Sequence, residues 1–196
     1  MTACDTSDQY FGTGGPDLPT RDVPYADARR ETILLLLQLQ QVLSDEFDVG
    51  AWEAPPLGGV NQVSESTANC VPGAVNELWM LGSAGPLSEE TWPAAVARFE
   101  EILTPLGFGA PVDGTVVSDN PIAIFFNETT GAEVELRYNK ASVVRANTGC
   151  VLGKASQDWP DGTEVVPEYL RTTGRALHHG EEETWAPYNP SPREDN

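Results

Sequence analysis

The chain is short of positive charge. Two lysines (Lys140 and Lys154) and nine arginines face 30 acidic residues, giving a formal net charge of −19. A field of that sign repels phosphate backbones and anionic head groups, so nucleic acid is excluded as an expected partner. Long apolar runs are also missing. The stretch around Leu34 to Leu37 falls well short of the ~20 residues that a membrane span needs. Histidine occurs twice, as the adjacent pair His178-His179, followed by Glu181, Glu182 and Glu183. Adjacent histidines point apart on a helix or strand, so they cannot share an ion as an i, i+4 pair does. No G-x-S-x-G elbow is present, and Gly12-Thr13-Gly14-Gly15 has no following strand-to-helix unit with a lysine to make it a phosphate loop. Paired carboxylates are too numerous to single out a dyad. No catalytic residue, metal ligand or cofactor site is therefore assigned, and the chain is expected not to be an enzyme.

With 40% hydrophobic residues and 196 positions, there is enough apolar material for one domain with tails. The arginine bias fits a GC-rich genome, and the acidity could equally reflect a salt-adapted cytoplasm.

Cysteine is scarce and odd in number. Cys70 and Cys150 lie within the body of the chain and Cys4 near its start. Pairing the interior two leaves Cys4 free, and Met1-Thr2-Ala3-Cys4 reads as the end of a lipobox. There, an apolar and two small side chains expose a thiol for diacylglyceryl transfer. The charged and apolar regions that should precede such a motif would lie upstream of Met1. A Cys70–Cys150 bridge would close a loop of about 80 residues, a constraint of about 4 kcal/mol by chain entropy. The other reading is two reduced, buried cysteines in a cytosolic protein.

Along the chain, residues 1–23 have linker composition and read as a lipobox remnant and flexible tether. Residues 24–153 read as an α+β domain, and 154–196 as an acidic, Pro- and Gly-rich tail. A first helix should start near Pro24, capped by Asp22 or Thr20, and end before Gly50. Trp52 to Ala54 and the polar alternation over 59–67 read as strands, followed by a core strand over 76–81. Ser88-Glu89-Glu90 reads as the start of a second helix carrying Trp92, Val96, Phe99, Leu103 and Leu106 on its apolar stripe. Strands are expected over 115–117, 122–126, 133–138 and 143–146, separated by turn chemistry at Asn120-Pro121, Thr130-Gly131 and Asn139-Lys140. In the third, Val134, Leu136 and Tyr138 should face the core, and Glu133, Glu135 and Arg137 the solvent. The expected architecture is two helices packed on an antiparallel sheet, in the order α-β-β-β-α-β-β-β-β. The similar plan of the two halves suggests a pseudo-duplication. Trp52 and Trp79 read as core, and Trp92 as a partly exposed aromatic.

Glu90-Thr91-Trp92-Pro93-Ala94-Ala95, the helix end Leu106-Gly107-Phe108 and the closing Thr148-Gly149-Cys150-Val151-Leu152 resemble motifs of the LppA-like lipoproteins of actinobacteria. The resemblance spans roughly residues 25–153. It departs from the pattern in the missing signal and the long acidic C-terminal tail. It implies an exported, membrane-tethered α+β domain lipidated at Cys4, with no catalytic role to carry over. The functional expectation is a monomeric envelope domain, anchored at the outer face of the cell membrane, that binds a protein or small ligand non-covalently. A partner of basic or neutral character suits the −19 field. The alternatives are a carboxylate-based envelope hydrolase and a cytoplasmic acidic adaptor or immunity-type protein.

Overall fold

A computed structural model of the chain describes residues 18–50, 52–53, 70–83, 85–113, 121–138 and 141–153. Cys4, the strand expected over 59–67, the one over 115–117, and the whole segment from 154 onward, including His178 and His179, lie outside the described residues. In chain order the elements are β1 (Thr20–Arg21), α1 (Tyr25–Phe47), β2 (Trp52–Glu53), β3 (Ala74–Val75), β4 (Leu78–Ser83) and α2 (Trp92–Leu103). A 3-10 turn (Thr104–Leu106), β5 (Val112–Asp113), β6 (Ile122–Phe126), β7 (Glu133–Tyr138), β8 (Ser142–Asn147) and β9 (Cys150–Leu152) follow. The fold is α+β, and from α1 to β8 the order is the one expected.

α1 starts where Pro24 fixes the chain, with the Pro24 carbonyl accepting from the amides of Asp27 and Ala28 at 3.0 and 3.1 Å. No side chain caps it. The expected caps are displaced because Thr20 is drawn into β1 and Asp22 lies beyond its end. The helix stops when Asp48 takes a left-handed conformation with φ 54°, one that Asp tolerates better than most residues. α2 also begins later than expected. The Ser88 and Thr91 side chains bond each other's backbone amides at 3.1 and 3.0 Å, closing a separate turn. Glu89 and Glu90 belong to that turn, and the helix proper runs from Trp92 with Pro93 in its first turn.

Six strands form the main sheet in the order β2-β4-β8-β7-β6-β5, with every neighbouring pair antiparallel. Side chains alternate across it, so Trp79, Leu81, Val144, Ala146, Val134, Leu136, Ala123 and Phe125 share one buried face. Both helices pack there. Ile33, Leu36, Leu37, Leu39 and Leu43 come from α1, and Ala95, Phe99 and Leu103 from α2. Trp52 is fully buried and pins the end of α1, its indole N–H donating to Ser44 Oγ at 2.8 Å and to the Val49 carbonyl at 3.1 Å. Arg98 of α2 reaches both carboxylate oxygens of Glu46 on α1 at 3.0 Å. Trp92 is partly buried and packs on Tyr138, ring centroids 5.5 Å apart. Leu106 departs from the expected stripe. It is 51% exposed because the 3-10 turn rotates it off the α-helical register.

A second, three-stranded sheet has the order β1-β9-β3, with β1 parallel and β3 antiparallel to β9. Cys150 therefore opens a strand of its own. It is disulfide-bonded to Cys70 with 5.5 Å between Cα atoms, within the ~7 Å a bridge requires. This sheet draws residues 18–23 out of the expected tether. Thr20 and Arg21 pair with Cys150 and Val151, and Arg21 donates to the Thr148 carbonyl at 3.0 Å. Two-residue strands have no readable periodicity, and only the partner strand makes this segment a strand.

Candidate functional site

Two places concentrate polar groups among the described residues. The first is the sheet face away from the helices. By register, Met80, Arg145, Glu135 and Ile124 form one row across it, with Glu133 and Arg137 in the flanking rows. This face was expected to be wet. Instead Glu133 is 5% and Glu135 1% exposed. Alternation assigns a side chain to a face but does not say whether that face meets water. Glu135 takes both cations: Arg137 pairs with it directly, and Arg145 Nη1 lies 3.8 Å from its Oε2. Among the described residues Glu133 has no ion-pair partner, and burial pushes its carboxyl from the ordinary 4.5 up to about 7, against the opposing pull of Arg137 and Arg145. Burial also lowers both arginines. Another buried ion pair, Arg29 with Glu77 at 3.7 Å, is tied into the fold. Tyr25 donates to Glu77 at 2.7 Å, and the Arg29 guanidinium stacks 5.0 Å above Trp79.

The second place is a cavity of about 450 Å³ between the two helices at one end of the main sheet. α1 lines it with Glu31, Thr32, Leu35 and Gln38, a stripe at helical spacing. Ile102, Leu106 and Phe108 come from the end of α2 and the turn after it, and Asn127, Thr130 and Ala132 from the β6–β7 connection. Ala146 and Asn147 close the sheet end, and Arg21 of β1 completes the wall. Leu106 and Glu31, each about half exposed, border the solvent side. Arg21 pairs with Glu31 at 2.5 Å, so the cationic group is locally neutralised.

The turn chemistry around this cavity is fixed by side chains accepting from backbone. Asn127 Oδ1 accepts from the amides of Thr129 and Thr130 at 3.0 and 3.1 Å, while its Nδ2 donates to the Leu106 carbonyl at 3.1 Å. Asn147 Oδ1 accepts from Glu133 and Gly149 at 3.0 Å each. Thr130 Oγ1 accepts from Ala132 at 3.2 Å. A 450 Å³ volume with an apolar wall and a few oriented polar groups falls in the range of small-molecule sites, about 300–1,000 Å³.

Sequence reasoning named none of these residues as a site. Arg21 was assigned to the tether, and Thr130 and Gly131 were read only as turn formers. Asn127-Glu128-Thr129-Thr130-Gly131 does carry an Asx-turn signature, which could have marked the connection as structured.

No protein-family model matches the chain, and no curated protein matches its sequence. Among solved structures, a DUF4853 family protein from Actinomyces odontolyticus is similar at a TM-score of 0.50 and 15% identity, over 79% of this chain and 83% of that one. The protein described as the putative lipoprotein LppA from Mycobacterium tuberculosis gives 0.49 and 15%, over 66% of this chain and 79% of that one. At such identity the first likeness shows the fold and carries nothing about activity.

Proposed function

We propose that the chain is an exported, lipid-anchored recognition domain that holds a small ligand non-covalently in the cavity between α1, α2 and the end of the main sheet. The cavity carries this reading: its groups are oriented for binding, since its turn side chains are already fixed by the backbone they support. The nearby carboxylate Glu31 is engaged by Arg21 at the solvent side, an arrangement suited to closing a rim. Anchoring rests on the lipobox-like Met1-Thr2-Ala3-Cys4 and on the Cys70–Cys150 bridge, which suits an oxidising compartment. The test is a thermal-shift screen of small polar-apolar compounds against the protein and its Leu106→Trp variant. Leu106 is half exposed, so an indole there fills the cavity without opening the core. Stabilising compounds should lose their effect on Leu106→Trp. Compounds that stabilise both proteins equally would place binding elsewhere. Anchoring is tested separately, by the mass increment of a diacylglyceryl group on Cys4 in membrane fractions and its loss in Cys4→Ala.

A further inference from the structure

The hydrogen-bonding bias at the Asn127, Thr130 and Asn147 end of the cavity points to the chemical class of its ligand. Asn147 Oδ1 faces two backbone amides, those of Glu133 and Gly149, and this fixes the orientation of the side-chain amide. Its Nδ2 group, which only donates, makes no hydrogen bond among the described residues. Asn127 is fixed in the same way by the amides of Thr129 and Thr130, and after its bond to the Leu106 carbonyl it keeps one N–H. Thr130 accepts from Ala132 and keeps its hydroxyl proton to donate. Arg21 adds a group that can only donate. At the end of the cavity formed by Asn127, Thr130 and Asn147 the backbone has thus taken up both asparagine oxygens and one acceptor position of Thr130, leaving donors in excess there, while the groups that can accept, Glu31, Thr32 and Gln38, line the α1 side. Opposite them, Leu35, Ile102 and Phe108 form an apolar wall.

We infer that the ligand of this cavity is an uncharged amphiphile with an acceptor-only carbonyl head, an ester or tertiary amide, on an aliphatic body. This rests on the cavity reading above. The carbonyl oxygens meet the Asn127, Thr130 and Asn147 donors, and the chain lies along Leu35, Ile102 and Phe108. The head is uncharged because Arg21 is already paired with Glu31 at 2.5 Å, so the site offers no net cation to a carboxylate. The overall charge of −19 opposes an anion further. At the Asn127, Thr130 and Asn147 end an ammonium head fails differently, since it brings donors to donors there.

Isothermal titration with three probes sharing one decyl-length body, each below its micelle concentration, tests the assignment. The probes are 2-(2-methoxyethoxy)ethyl decanoate, an ester without donors, decanoate and decylammonium. The ester should bind at least about tenfold more tightly than either ion, the factor that one hydrogen bond made or lost supplies. Asn147→Asp keeps an acceptor for both backbone amides while replacing the donor with an acceptor, and should weaken the ester by about tenfold or more. Leu106→Trp should abolish binding of every probe. Equal binding of ester and ammonium, unchanged ester affinity in Asn147→Asp, tighter binding of decanoate, or no binding of the ester would each overturn the ligand class. If binding of another compound is still lost in Leu106→Trp, the cavity survives and only the class falls. If the ester binds Leu106→Trp undiminished, the cavity reading falls with it.

Discussion

Replacing Glu133 by glutamine should make the protein more stable at pH 8 and leave it unchanged at pH 4.5. The cause is the mismatch on the outer sheet face, where Arg137 and Arg145 are both committed to Glu135 and Glu133 is buried beside them. Burial raises the Glu133 carboxyl from 4.5 to about 7. Below pH 4.5 the group is protonated in the folded and unfolded chain alike, so it contributes no pH dependence. Between 4.5 and about 7 the unfolded chain has released the proton while the native protein still holds it. Stability therefore falls with rising pH across that window, by about 1.4 kcal/mol per pH decade, and is flat above it. The full drop is about 3 kcal/mol. Glutamine resembles the protonated acid and escapes the penalty, so Glu133→Gln should gain about 3 kcal/mol over the natural protein at pH 8. Urea unfolding of both proteins at pH 4.5, 5.5, 6.5 and 8 measures it, urea being uncharged and leaving the ion pairs unscreened. Taking the difference cancels every other titrating group, His178 and His179 included. Parallel profiles through the window, or a glutamine variant less stable at pH 8, would refute the reasoning.

Three further outcomes follow from the packing. Removing the bridge by Cys70→Ala with Cys150→Ala should cost about 4 kcal/mol in denaturant unfolding, from the 80-residue separation it closes; a loss under about 1 kcal/mol would contradict this. Gly149→Ala should prevent folding or cost well over ~3 kcal/mol, because its φ is +68° and a Cβ would sit 2.1 Å from the Thr130 carbonyl oxygen. Gly73→Ala meets nothing within 4 Å and should cost only the ~1–2 kcal/mol of a left-handed alanine, so equal losses at the two positions in calorimetry would be a failure. Deleting residues 1–23 should lower the melting temperature by several degrees, since β1 and the Arg21 bonds to Thr148 and Glu31 go with it; an unchanged midpoint would show that β1 adds nothing.

The elements legible in the sequence are those whose periodicity runs for several residues between turn formers. β6 and β7 begin and end where the alternation and the Asn120-Pro121 and Thr130-Gly131 signals place them. α1 and the core of α2 follow their apolar stripes. The cysteine pairing was readable from an odd count and a polar N-terminal segment. β1, β3 and β9 were not readable, because strands of two or three residues exist only through their partners. The burial of Glu133 and Glu135 was misread for a related reason: what covers a face is a long-range fact. The cavity is the extreme case. Its lining comes from β1, both helices, the turn after α2, the β6–β7 connection and the end of β8, so no local pattern contains it. Only the Asx-turn pattern at Asn127 leaves a trace in the sequence, and by itself that pattern marks a turn.

Recognition of a small molecule between the helices and the sheet end is tested most directly by amide chemical-shift mapping. The isotope-labelled protein is titrated with the compounds that stabilise it in the thermal screen. The account predicts shifts grouped on residues 31–38, 102–108, 127–132 and 146–148, with the outer sheet face around Met80 and Ile124 unmoved. Shifts centred on that outer face, or scattered over the domain with the cavity amides unmoved, would contradict it.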